Sequence, residues 1–153
     1  MITYTGANKI LTWFTGKSES ANSLYVGLSS TEPTVAGANV TEPTVSSYKR
    51  VAVATKEGGS LKSIFDSPVN GLNGSSITNK EQVLFQETYN NATKTVEDWG
   101  ELSYICLFSA ATGGSLLAYQ ALETPIHPGA NGESSIPIIR IGDATIEITN
   151  PTA

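Results

Sequence analysis

The chain has 153 residues, 39% of them apolar and 15% charged, with one histidine, one cysteine and a net charge of −5. One domain of this length can bury its own core, and the acidic balance argues against nucleic acid, which needs a basic face. A lone Cys106 rules out an internal disulfide and argues against a Cys-based zinc site, so no cofactor or metal is expected.

The amino terminus, MITYTGANK, lacks the basic start and apolar run of a signal peptide. No apolar segment reaches bilayer length, so no membrane contact is expected. Ala7, Ile10, Leu11 and Phe14 recur at helical spacing and predict a short helix near residues 6–15, with Thr5 as its cap and Gly16 as its end. The period then changes to two. Leu24, Val26 and Leu28 share one face of a strand.

The next stretch, TEPTVAGANVTEPTV, carries the pentapeptide TEPTV twice, at Thr31 and at Thr41. Two copies at a period of ten are too short for a solenoid. Pro33 and Pro43 pin φ, and Gly37 and Asn39 are turn residues, so residues 31–47 read as a stiff, exposed loop. A preordered loop loses little entropy on docking. Glu32, Pro33, Glu42 and Pro43 are therefore the candidate contacts to a neighbouring subunit.

Val51 and Val53 then face one side of a strand, and Val83 to Phe85 mark a weaker one. In SYICLF, Tyr104, Cys106 and Phe108 alternate with Ile105 and Leu107, which predicts a strand covered on both faces. Gly113-Gly114 suits the turn of a hairpin to LLAYQAL. Gly142-Asp143 suits a type II′ turn joining SSIPIIRI to ATIEIT, with Ile146 and Ile148 inward and Thr145, Glu147 and Thr149 outward. The expected class is mainly β: one domain over residues 1–153, an antiparallel β-sandwich or jelly roll with one short N-terminal helix.

Catalytic chemistry finds little support. His127 stands between two prolines, without a G-x-S-x-G elbow elsewhere or a second histidine at ligand spacing. Glu97, Asp98 and Glu101 lack a calcium-loop frame and read as a solvated acidic turn. Trp13, Trp99 and the tyrosines could form a sugar-stacking platform, but their positions among core residues favour packing. Cys106 reads as a small buried hydrophobe, and the sequons at Asn39, Asn73 and Asn91 as products of composition. No enzymatic activity is expected.

In order, ANKILTWF, LYVGLSSTEPT, GANVTEPTVSSYKRVAV and SYICLFSAATGGSLLAYQALETP resemble a group of small tailed-bacteriophage virion proteins, tail-fibre or minor structural components. The matching positions are Glu32 and Pro33, Val40 to Pro43, Tyr48 with Arg50, and Ile105 to Leu122. Ser109, Gln120 and an expanded 57–103 region depart from the pattern. The resemblance implies a virion component, assembled in the bacterial host cytoplasm, and brings no catalytic residues.

A compact acidic domain without fibre repeats suits a capsid decoration protein that caps the shell. The alternatives are a tail, tail-fibre or baseplate subunit, and a carbohydrate-binding β-sandwich. Expected partners are the major capsid protein or tail proteins and further copies of the chain, a trimer first. Dispersed charge implies apolar and main-chain contacts.

Overall fold

The structure, a computed structural model, describes residues 1–15, 23–57, 60–71 and 74–149. Helix α1 (Tyr4–Phe14) starts earlier than its periodicity suggests, because Thr3 rather than Thr5 caps it. The Thr3 Oγ1 accepts the Gly6 N–H at 3.1 Å and donates to the Leu116 carbonyl at 2.7 Å. Its carbonyl takes the Ala7 N–H.

The apolar stripe of α1 is only partly buried. Gly6 is buried so tightly that a Cβ there would overlap the Leu117 carbonyl, whereas Ala7 is exposed and Leu11 is 61% exposed. A helix docked through its backbone turns its smallest residue inward, which leaves Ala7 and Leu11 outside and Ile10 half-buried. The expected end at Gly16 lies outside the described residues, as do the side chains of Trp13 and Phe14.

The principal sheet is antiparallel, in the order β10-β9-β1-β2-β3. Its strands are β1 (Ser23–Ser29), β2 (Val51–Glu57), β3 (Ser60–Ser63), β9 (Leu102–Phe108) and β10 (Leu116–Ile126). Its inner face supplies Val26, Leu28, Val53, Ile105 and Leu107 to the main core; Cys106, Phe108 and Leu116 form a second cluster on the other face. Ile105, Cys106, Leu107 and Phe108 are all buried, as expected of a doubly covered strand. The β9–β10 hairpin forms as expected, its turn carrying Gly113 and Gly114 at φ 60° and 71°.

The intervening segment makes short strands: β4 (Val69–Gly71), β5 (Gly74–Thr78), β6 (Val83–Leu84), β7 (Tyr89–Asn90) and β8 (Thr95–Val96). The last two are β11 (Ile138–Ile139) and β12 (Thr145–Thr149). These assemble as β12-β5-β4, β11-β6 and β7-β8. Among the described residues the architecture is mainly β with antiparallel sheets and one short α-helix, the expected class, and is consistent with a β-sandwich.

The closing hairpin does not form. β11 pairs with β6, and β12 pairs with β5, so the arms on either side of Gly142-Asp143 enter different sheets. Asn79, 1% exposed, holds them apart. Its Oδ1 accepts the Gly142 and Ala144 N–H groups, and its Nδ2 donates to the Arg140 carbonyl. A buried amide satisfied on both ends does here what cross-strand hydrogen bonds would do in a hairpin. Ile146 packs on the core as expected; the side chains of residues 147–149 lie outside those described.

Candidate subunit-contact loop and its internal clamp

Between β1 and β2, residues 30–50 contain no regular element and are held by side chains. The two TEPTV copies lie side by side. Thr31 Oγ1 donates to Thr41 Oγ1 at 2.9 Å, and the Ser30 N–H reaches the Thr41 carbonyl at 3.0 Å. Ser29, fully buried, stands below both, its Oγ accepting the Thr31 and Thr41 N–H groups and donating to the Thr31 carbonyl. Asn39, at φ 61°, closes the tip by donating to the Glu32 carbonyl.

The second copy leads into a charged cluster. The Glu42 carboxylate accepts the Tyr48 hydroxyl at 2.7 Å and the Arg50 Nε at 2.9 Å, and pairs with Arg50 Nη2. Arg50 also donates from Nη1 to the Ala110 and Gly113 carbonyls, at 2.9 and 2.7 Å, and its guanidinium lies 3.4 Å from the Phe108 ring centroid. One side chain therefore ties the loop, β2 and the β9–β10 turn together. Its planar fork explains why arginine, not lysine, serves there.

The Tyr48 hydroxyl in turn accepts the Leu28 N–H at 2.9 Å. Burial, and then its bond to Glu42, pushes that hydroxyl above its ordinary range, so it stays a neutral donor. Gly27 makes room for all of this. A Cβ on it would stand 2.7 Å from Glu42 Oε1, 2.8 Å from the Tyr48 hydroxyl and 2.9 Å from Phe108.

Of the four candidate contact residues, Glu32 is exposed and Pro43 half-buried, but Pro33 is fully buried and Glu42 is engaged inside the chain. The expectation of a uniformly exposed loop is corrected to that extent. Prolines fix φ whether they face solvent or core, so their presence does not report exposure.

The far end of the loop is anchored by the acidic turn, which is not a merely solvated one. Glu97 accepts the Ser46 hydroxyl at 2.7 Å, the Ser47 N–H at 2.6 Å and the Asn90 amide at 2.8 Å. These donors, Asn90 foremost, hold its carboxyl down to about 2. Asp98, lowered by the Gly100 N–H and then by His127, sits 2.8 Å from His127 Nε2. Trp99 is buried, with its indole N–H on Ser47 Oγ at 2.8 Å and its ring edge-on to Tyr48 at 5.2 Å. It is a core residue and not a sugar platform. Cys106 is buried, and burial pushes its thiol up to about 12, as suits an inert packing group.

The sequence motifs thus converge on one clamp. Glu42 from V-T-E-P, Tyr48 and Arg50 from Y-K-R, and the A-A-T-G-G turn meet in space. Sequence reasoning missed their mutual contact and the part played by Gly27, whose only signal was a glycine inside an otherwise regular strand. The class of protein comes from comparison with known families, which places the chain among the structural proteins of bacteriophage virions. More particularly, the chain belongs to the podophage GP4 fiber I protein gp80 family, whose model matches residues 1–144. No curated protein matches it.

Proposed function

We propose that this protein is a non-enzymatic subunit of a podophage tail fibre. The family match over residues 1–144 carries the reading, and it favours the fibre alternative over the capsid cap expected from compactness and acidity. The clamp is compatible with that reading, because its polar atoms are occupied by one another and hold a surface rather than a substrate.

On this reading the chain is a single domain that acts as a homo-oligomer, a trimer first, beside other tail proteins in the virion after assembly in the host cytoplasm. The exposed Glu32 and the half-buried Pro43 meet a neighbouring subunit, while Pro33 and Glu42 hold the loop's shape from below. Immunogold electron microscopy of purified virions tests the location. Label on the tail, with a dozen or fewer copies per particle, is expected. Label spread over the head, with hundreds of copies, would restore the capsid reading.

A further inference from the structure

Helix α1 and the two larger sheets leave space between them. At Gly6 the helix backbone meets the Leu117 carbonyl so closely that a Cβ would overlap it. Lys9 and Ile10, three and four residues on, lie on the same face one turn further along. There a cavity of about 340 Å³ opens between α1, the principal sheet and the β12-β5-β4 sheet. Ile10, Leu24, Leu107, Ile77 and Ile146 are among its walls, and its lining is almost wholly apolar.

Protein interiors are ordinarily close-packed, so an apolar void of this size marks a place for a guest. Its volume stands at the lower end of the range for ligand pockets, about 300–1,000 Å³. That suits one alkyl chain and is too small for a two-chain lipid. No aromatic side chain lines it, so it offers a ring no flat face to stack on and favours aliphatic contact. Lys9 is the single charged residue of the lining; it is half-buried, and no carboxylate among the described residues pairs with it. A lysine so placed lays its stem on apolar surface and keeps its ammonium at the mouth. Apolar walls with one cation at the rim are complementary to an amphiphile that carries one negative charge.

We propose that this cavity binds a single-chain aliphatic carboxylate, of the fatty-acid class, with the chain against Ile10, Ile77 and Ile146 and the headgroup on Lys9. A bound chain fills the space between the helix and the sheets, and so fixes the position of α1. The site lies on the Leu107 side of β9, away from the Glu42–Arg50 clamp on the Phe108 side. It does not depend on where the chain stands in the virion.

Calorimetric titration of the full chain with dodecanoate, kept below its micelle concentration, tests this. One molecule per chain is expected, with the negative heat-capacity change of apolar burial. Lys9→Met should weaken dodecanoate about fivefold, the scale of a partly exposed ion pair, and leave dodecanol binding unchanged. Ile10→Trp, which fills the cavity, should abolish the binding of both. Unchanged circular dichroism would show that either variant is folded. Isoleucine-methyl NMR locates the ligand on the wild type without any variant: Ile10, Ile77 and Ile146 should shift, while the exposed Ile138 and Ile141 stay in place. The absence of saturable one-to-one binding, unshifted cavity methyls, or dodecanoate binding undiminished in either folded variant would each overturn the proposal.

Discussion

The two TEPTV copies are identical in sequence and opposite in employment. In the first, Glu32 is exposed and Pro33 is buried; in the second, Glu42 is held inside and Pro43 is half-buried. They touch through their threonines, so they share a location but not an environment. Ten residues of chain leave one glutamate exposed and place the other over Gly27, where the missing side chain leaves space for a carboxylate. Environment, not identity, decides whether a residue holds the fold or meets a neighbour.

The largest contrast lies between the glutamates. Glu42→Ala leaves the nearly buried Arg50 guanidinium without its carboxylate and should cost about 3 kcal/mol, the scale for breaking such a pair from one side. Glu32→Ala should stay within about 0.5 kcal/mol, as for ordinary surface changes. Urea unfolding of the two variants measures both. Equal losses would erase the distinction between the copies.

Gly27→Ala approaches the same clamp from below. Its methyl group would crowd Glu42, Tyr48 and Phe108, for an expected loss of about 2 kcal/mol by overpacking. A neutral result would mean that the clamp can shift, and the contrast between the glutamates should then shrink with it.

The prolines give a smaller contrast. Pro33→Gly removes a fully buried ring and frees the backbone, which should cost about 2 kcal/mol, whereas Pro43→Gly should cost about 1 kcal/mol or less. Pro33→Gly therefore reports on the fold, and Pro43→Gly is the fairer probe of assembly. If thermal unfolding ranked them in reverse, the burial of the first copy would have no energetic weight.

The smallest effect concerns the anchor beyond the second copy. Glu97 has a folded-state pKa of about 2, below its ordinary 4.5, so its contribution is full above pH 4.5 and is lost as pH falls through about 2. Acid titration of stability should show a downward slope across that window, and Glu97→Gln should flatten it. An unchanged slope would assign acid sensitivity to other carboxylates.

The sequence by itself determined the mainly β class, the doubly covered SYICLF strand and the β9–β10 hairpin. Those features follow from alternation and from turn glycines close along the chain. It also carried the family likeness, because V-T-E-P, Y-K-R and A-A-T-G-G are local strings.

Only the tertiary structure decided how α1 docks, since the close approach of Gly6 to the Leu117 carbonyl leaves Ala7 and Leu11 exposed. It alone parted the arms around Gly142, because Asn79 arrives from more than sixty residues away. It alone gave Glu42 its partners, for the carbonyls that fix Arg50 come from a hairpin sixty residues beyond it. A pattern along the chain reports what each residue can do nearby. What it does in the fold depends on what distant segments bring to it.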